Sequence, residues 1–273
     1  LNTEPDYCCI LIPCLNEAKA IGPLLDSLKP LGLPIIVVDD GSDDGTPEMV
    51  RERGVTLIQH AQRSGKGEAL RTGFREALER GYQAALTMDG DGQHIAADVP
   101  RILAVARRYP NHIVTGARLI NRHKQPNYRR RANNFADWGI SWACGQRLID
   151  TQSGQRYYPK AVLELHGIQT QGFVFESEIL IEAAWQCGVR VASVPIESRY
   201  EHTQVDGPRQ FRVSHFKPVP DFLRITFHVI GKIVGAGFLL DNYRRVRREK
   251  PLLIDPGKDT GSTTDEAEAH ARA

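Results

Sequence analysis

The chain is poor in cysteine, and the five it has form no pattern. Cys8, Cys9, Cys14, Cys144 and Cys187 are an odd number with neither metal-ligand nor redox spacing. Three of them lie in or beside the first apolar run, so buried thiols in a reducing compartment are expected rather than a disulfide framework. No stretch reaches the roughly 20 apolar residues that a membrane-spanning helix needs. Leu1–Tyr7 is short and polar and a strand follows at once, so no signal peptide is expected. Nucleotide motifs of the commonest kinds are missing too. No G-x-G-x-x-G follows the first strand, which argues against a dinucleotide oxidoreductase. Gly65-Lys66-Gly67 is not a Walker A loop, because His60 stands where the first glycine belongs and Gly67 replaces the Ser/Thr. A sugar nucleotidyltransferase would need a glycine-rich G-x-G-T-R start after the first strand, and there is none. No internal repeat is found.

Net charge is small, +2 over 273 residues, but it is unevenly spread. Residues 1–198 carry 22 Lys/Arg against 23 Asp/Glu, residues 199–250 carry 11 against 5, and residues 251–273 carry 2 against 5. The basic surplus therefore sits in the C-terminal region, where it can meet an anionic surface.

Size and a 41% hydrophobic content suit one large α/β domain. Apolar runs at Tyr7–Ile12, Ile35–Val38, Val55–Ile58, Ala84–Leu86 and Ile113–Gly116 alternate with helical patterns over about 21–28, 44–53, 66–80 and 98–108. Asn16 is placed to cap the first helix. Repeated β-α-β units of this length predict a mostly parallel sheet flanked by helices, with ligands bound outside the carboxyl ends of the strands. Further on, 128–145, 176–187 and 219–240 read as helices, Val189–Ile196 as a strand, and Arg156–Pro159 as a loop or short strand. From Asp255 no large apolar residue remains, and 251–273 is expected to be a disordered tail.

Three acidic or polar groups fall at the predicted ligand edge: Pro13-Cys14-Leu15-Asn16-Glu17, Asp39-Asp40, and Asp89-Gly90-Asp91-Gly92-Gln93. In an extended backbone Asp89, Asp91 and Gln93 share one face, with Gly90 and Gly92 leaving the backbone side open. Two carboxylates and an amide oxygen suit Mg²⁺ or Mn²⁺, with ligand phosphates completing the octahedron. A plain Asp-Gly turn is the alternative. Lys66 reads equally as a solvated helix-start lysine or a donor contact.

In these blocks the chain resembles the family 2 glycosyltransferases, most closely the branch of dolichyl-phosphate mannosyltransferase, whose acceptors are polyprenyl phosphates. The resemblance runs from about Cys8 to Arg199. It rests on Pro13-x-x-Asn16-Glu17, Val38-Asp39-Asp40-Gly41-Ser42-x-Asp44-x-Thr46 and Gly65-Lys66-Gly67-x-Ala69-x-x-x-Gly73. It continues through Asp89-x-Asp91-x-Gln93-His94, Gly116-x-Arg118, Asp150-x-x-Ser153-Gly154-x-Arg156 and Phe175-Glu176-x-Glu178. One departure is Gln155, where that branch usually has an aromatic.

The resemblance implies a GT-A-type fold, a nucleotide-diphosphate sugar donor, a divalent cation and inversion at the anomeric carbon. By position, Pro13, Asn16 and Glu17 would border the nucleoside, and Asp40 with Asp39 would address base and ribose. Lys66 and Gly90 would lie on the donor side, with Asp89, Asp91 and Gln93 at the diphosphate and metal. Asp91 would be the principal metal carboxylate. For a hydroxyl acceptor a base is needed, with Asp150 first and then Glu176 and Glu178. For a lipid phosphate, cations are needed instead, drawn from Arg118, Arg156 and the run Arg129-Arg130-Arg131, Arg131 foremost. Alternatively Asp150 only orients Arg156, and the arginine run is a solvated helix face.

In the C-terminal segment, apolar residues between 219 and 240 precede Arg244, Arg245, Arg247, Arg248 and Lys250, a pattern that suits an amphipathic element in a headgroup layer. A helix packed on the domain's own core is the other reading. The expected organisation is a catalytic domain over 1–200, a basic amphipathic segment over 201–250, and the tail. The expected activity is metal-dependent hexosyl transfer from a nucleotide sugar to a polyprenyl phosphate. The site would be cytoplasmic, peripheral at the inner face of a membrane, with no nucleic-acid partner. A hydroxyl acceptor on a lipid or saccharide, and a non-catalytic nucleotide-sugar-binding protein, are the two rival readings.

Overall fold

The computed structural model describes residues 7–120, 127–197 and 218–258, with the side chains of Tyr128, Arg129 and Pro218 outside that description. Seven strands form one sheet: β1 (Cys8–Cys14), β2 (Ile35–Asp39), β3 (Thr56–Gln59), β4 (Ala84–Thr87), β5 (His112–Arg118), β6 (Arg156–Pro159) and β7 (Arg190–Ile196). Their order is β3-β2-β1-β4-β6-β5-β7. β1 is buried along its whole length, as a central strand covered on both faces must be, which is why its sequence is uniformly apolar.

The α-helices among the described residues are α1 (Ala18–Leu28), α2 (Thr46–Arg51), α3 (Lys66–Glu79), α4 (Val99–Arg108), α5 (Asn127–Cys144), α6 (Lys160–Leu163), α7 (Val174–Cys187), α8 (Pro218–Gly235) and α9 (Leu240–Arg248). One core gathers α3, α5, α7 and α8 through Leu70, Phe74, Ile140, Ile179 and Val229. The other joins α1 and α4 to the opposite face through Ile21, Leu25, Ile102 and Val105.

Two features of this topology place the ligand edge. β1 pairs in parallel with β2 on one side and β4 on the other, so the chain order reverses there and a crevice opens at their carboxyl ends. β6, the element read from sequence only as a loop or short strand, runs antiparallel to both neighbours. Its first residue, Arg156, pairs with Thr87 and Thr115, so residues 150–155 enter at the same crevice. A lone antiparallel strand of four residues has no periodicity of its own by which sequence could reveal it.

The C-terminal part differs from its sequence reading in two ways. The single helix over 219–240 is two: α8 ends at Gly235 and the chain turns by 103° into α9. At the bend Phe238 and Leu239 have φ of 65° and 43°, and the Trp142 indole N–H donates to both their carbonyls. Gly235 and Gly237 supply the backbone freedom that an uninterrupted helix pattern hides. Among the described residues no single helix is long and apolar enough to cross a membrane. The expected tail also begins too early. Ser193 donates its N–H to the Leu252 carbonyl and accepts from Ile254, whose side chain is buried, so 252–254 extend the sheet beside β7. The rest of the expected tail, 259–273, lies outside the described residues.

Candidate active site

The nucleoside side of the crevice is built by loops that hold each other. Asn16 takes φ of +56°, a conformation asparagine tolerates, and does not cap α1. Instead its N–H donates to Ser42 Oγ (2.8 Å) and its Oδ1 accepts from Asp43 N–H (3.0 Å). The helix is capped from across the crevice, with Glu17 N–H donating to Thr46 Oγ1 (2.8 Å) and Ala18 N–H to Asp44 Oδ2 (3.1 Å). A cap supplied by a segment 26 to 29 residues away carries no local sequence signal.

Asp39 and Asp40 were expected to address base and ribose, but both are buried and committed inward. Asp39 accepts from Ser42 N–H, the Ser42 hydroxyl and Gln59 Nε2. Asp40 accepts from Ser64 N–H (2.9 Å) and Gly65 N–H (2.7 Å), and pairs with His60 Nδ1 (2.8 Å). The geometry makes these two carboxylates the pins that fasten loops 41–44 and 60–65 around the crevice. Pro13 is buried at the end of β1, and Gly90 packs against it: a Cβ on Gly90 would stand 3.0 Å from Cys14 Cβ and 3.5 Å from the Pro13 carbonyl.

The acidic centre follows β4. The strand stops at Thr87, and residues 90–92 turn, with Gly92 at φ of +75°. Asp91 Oδ1 accepts the Gln93 N–H (2.9 Å) in an Asx-turn. The turn breaks the two-residue alternation on which a same-face Asp89, Asp91 and Gln93 rested, so the placement of Gln93 beside the carboxylates does not follow. Asp89 and Asp91 nonetheless remain electrostatic neighbours. Burial pushes the Asp91 carboxyl up, and the Asp89 charge pushes it further. Burial would raise Asp89 as well, but Lys66 and then His94 overcome it and hold its carboxyl well below the usual range.

Lys66 is the hub of this centre. Its Nζ lies 2.7 Å from Asp89 Oδ1 and 3.0 Å from Glu176 Oε2, above the Phe173 ring. Burial alone would favour the neutral amine, yet the two carboxylates raise its pKa and keep it an ammonium. Sequence reasoning left Lys66 undecided and gave Glu176 a different task. It gave Gly154 no role beyond its place in a block: a Cβ there would sit 2.5 Å from Asp89 Oδ2, so only glycine lets the carboxylate lie against that backbone. The Ser153-Gly154 pair in the block before Arg156 was the available signal.

Among the described residues no three His, Cys, Asp or Glu side chains are grouped to hold a metal ion. Two neighbouring carboxylates still fit Mg²⁺ or Mn²⁺, which commonly take one or two carboxylates and fill the remaining positions with phosphate oxygens and water.

On the far side of the crevice Arg118, at the end of β5, meets Asp150. Its Nε donates to Asp150 Oδ2 (2.9 Å), its Nη2 to Oδ1 (2.7 Å), and its own backbone N–H to Oδ2 (2.7 Å). Asp150 sits at φ of +51°, with its N–H on Asp137 Oδ2 (3.0 Å), and Thr151 caps the other Asp137 oxygen. A carboxylate this engaged orients Arg118. Arg156, the partner that the alternative reading gave it, donates hydrogen bonds to the Thr151 and Glu176 carbonyls and the Tyr158 hydroxyl instead.

Arg156 is wholly buried rather than facing an acceptor, and its guanidinium donates to the carbonyls of Thr151 and Glu176 and to the Tyr158 hydroxyl. It ties β6 to α7 and to the loop carrying Asp150. Arg156→Met is therefore expected to cost about 3 kcal/mol or more of stability, seen as a lowered urea midpoint. Of the arginine run, Arg131 is exposed on α5, Arg130 donates to Asn127 Oδ1 (3.0 Å), and the Arg129 side chain lies outside the described residues. Glu178 faces α8, accepting from the Thr170 hydroxyl and pairing with Lys232 (2.9 Å) and His228 (3.6 Å).

Gln155 is fully buried, and among the described residues neither of its amide atoms has a hydrogen-bond partner. Gln155→Met removes two unpaired polar atoms at nearly constant shape and is expected to stabilise the protein by about 1 kcal/mol; a raised urea midpoint at unchanged m-value checks it.

With this geometry in hand, comparison with known proteins is informative. The family model described as Glycosyl transferase family 2 matches residues 9–170. The undecaprenyl-phosphate mannosyltransferase of Micrococcus luteus is 31% identical over 205 residues, covering 68% of this chain and 81% of the relative. The UDP-N-acetylglucosamine–dolichyl-phosphate N-acetylglucosaminyltransferase of Methanococcus voltae is 29% identical over 214 residues, covering 70% of this chain and 85% of the relative. Among solved structures, glucosyl-3-phosphoglycerate synthase from Mycobacterium tuberculosis, in complex with Mn²⁺, UDP and glucosyl-3-phosphoglycerate, superposes with a TM-score of 0.61. It is 20% identical, with 84% of this chain and 79% of that one covered, a likeness of fold. The GT-A-type architecture implied by the sequence blocks is the one observed.

Proposed function

The chain belongs to glycosyl transferase family 2, and on that footing we propose that it transfers a sugar, with inversion, from a nucleotide-diphosphate donor to a polyprenyl phosphate at a membrane surface. The observation that carries the acceptor class is that every expected base is committed to a cation. Asp150 is held by Arg118, Glu176 by Lys66 and Glu178 by Lys232. A hydroxyl acceptor needs a group to take its proton. A phosphate monoester is already anionic and needs only to be gripped and aimed, which suits an arginine pre-oriented by a bidentate carboxylate. The names of the Micrococcus and Methanococcus relatives, which act on undecaprenyl and dolichyl phosphates, point the same way.

In this reading the donor lies over loops 13–17, 41–44 and 60–65, its diphosphate directed at Asp89, Asp91 and Lys66. A divalent cation, Mg²⁺ or Mn²⁺, would be held by Asp89 and Asp91 and would supply counter-charge to the departing nucleoside diphosphate. Lys66, an ammonium at the N-terminus of α3, offsets the same developing charge. Arg118, with Arg131 from the start of α5, presents the acceptor phosphate.

The membrane part rests on the outer faces of α8 and α9. Val219, Leu223, Phe227, Ile230 and Val234 are exposed along α8, followed by Phe238 and Leu240 at the bend. The inner face of α8, Ile225, Val229 and Ile233, belongs to the domain core. Arg244, Arg245, Arg247 and Arg248 are exposed on α9. An apolar ridge ending in a basic helix suits insertion to headgroup depth on an anionic leaflet. A cytoplasmic membrane face follows as the proposed location.

The test is a screen of nucleotide sugars with Mg²⁺ or Mn²⁺, read by thermal stabilisation, followed by transfer assays with a polyprenyl phosphate and the matching polyprenol. Transfer to the phosphate alone is expected. Transfer to the alcohol instead would reassign the acceptor, and binding without transfer to either would make the protein a sensor.

A further inference from the structure

Asp89 has little freedom. One carboxylate oxygen, Oδ1, faces Lys66 Nζ at 2.7 Å. The other, Oδ2, faces His94 Nε2 at 3.5 Å and lies against the backbone of Gly154, so closely that a Cβ would stand 2.5 Å away. The group is therefore walled on one side and capped by an ammonium on the other. Lys66 has a second carboxylate to hold it. Its backbone is pinned, because Gly67 packs against Phe175 Cβ and the Thr170 carbonyl, but the side chain bridges two carboxylates and keeps Glu176, 3.0 Å away, if it leaves the first. It also stands at the N-terminus of a 14-residue helix, where a negative group is favoured in front of it.

Resting on the metal and donor reading above, we propose that Lys66 and the divalent cation compete for Asp89, and that the donor's diphosphate decides the contest. An ammonium and a dication on one carboxylate oxygen repel each other, so the cation gains Oδ1 only when Lys66 moves off. A diphosphate arriving before α3 draws the ammonium forward while Glu176 continues to steady it. Asp89 is thereby released to the cation. Cation and nucleoside diphosphate bind as a coupled pair, each raising the other's affinity by the same factor. Glu176 is a positioning residue in this scheme: it gives the displaced ammonium somewhere to remain.

The experiment titrates Mn²⁺ into the full chain, following free Mn²⁺ by electron paramagnetic resonance, with and without UDP or GDP, and subtracts the chelation by each nucleotide measured without protein. Wild type should bind Mn²⁺ weakly alone and roughly tenfold or more tightly with the favoured nucleoside diphosphate. Lys66→Met should bind Mn²⁺ alone roughly tenfold tighter than wild type and lose the part of the nucleotide enhancement that displacing the ammonium supplies, keeping the part that direct phosphate coordination gives. Glu176→Gln, which leaves the ammonium only Asp89, should bind Mn²⁺ alone more weakly than wild type. Thermal melting confirms folding, and Lys66→Gln substitutes if the methionine variant does not fold. Nucleotide-enhanced uptake in wild type with no tightening in either Lys66 variant overturns the competition alone. No uptake by wild type or variants with any nucleoside diphosphate overturns the cation reading beneath it.

Discussion

Asp91→Ala is expected to reduce sugar transfer by roughly 10²–10³-fold while the protein melts at nearly the wild-type temperature. The two halves of this outcome have separate causes. The activity loss comes from removing one of the two carboxylates that would hold the cation, and with it the counter-charge for the leaving diphosphate. Stability is spared because the native state gains little from this charge. Burial and the neighbouring Asp89 raise the Asp91 carboxyl in the fold, so its ionised form is disfavoured there. A raised carboxyl costs stability that appears as pH climbs past the unfolded value of about 3.9. The variant escapes this cost at neutral pH, offsetting the lost Asx-turn bond to Gln93, worth about 1 kcal/mol. Paired turnover and melting measurements check both halves. Near-normal turnover would remove Asp91 from the chemistry, and a large drop in melting temperature would make it a structural residue.

Asp150→Asn is expected to raise the acceptor KM roughly 30-fold or more, equivalent to about 2 kcal/mol, with the donor KM little changed. An amide keeps one acceptor oxygen but cannot grip Arg118 through both Nε and Nη2 at 2.7–2.9 Å. The guanidinium then loses the orientation that the acceptor phosphate needs. The pH profile separates this role from that of a base. A lost basic group removes the acidic limb of the profile along with kcat, whereas a lost orienting group leaves the limb and acts on the acceptor's KM. Disappearance of that limb in the variant would restore Asp150 as the base and favour a hydroxyl acceptor.

Both expectations depend on contacts of very different sequence reach. The nearness of Asp91 to Asp89 was legible because these neighbours in the chain are also neighbours in space. Asp150 was legible as a residue, but its pairing with Arg118 was not, and the alternative reading set it against Arg156. The Asp150–Arg118 pair spans 32 positions, and the competing Arg156 stands only six away. Nothing in the spacing says that β6 runs antiparallel and turns Arg156 under the sheet, where it serves backbone carbonyls. Asn16 failed for a related reason: its residue type and position allow a helix cap, and only the facing loop 42–46 claims its hydrogen bonds instead.

The amino-acid order by itself determined the β-α alternation, the parallel half of the sheet and the gathering of acidic loops at one edge. Those follow from apolar periodicity and the handed connection of successive units, which act over stretches of about 30 residues. It also carried enough motif blocks for the family to be recognised. Only the tertiary structure decided what each charged side chain does. Lys66 between Asp89 and Glu176, Asp40 as the pin of loop 60–65, and the 103° bend between α8 and α9 all depend on groups far apart in the chain. A buried charge takes the partner that packing brings within about 3 Å, and the Coulomb and hydrogen-bond energy of that meeting has no counterpart in local sequence.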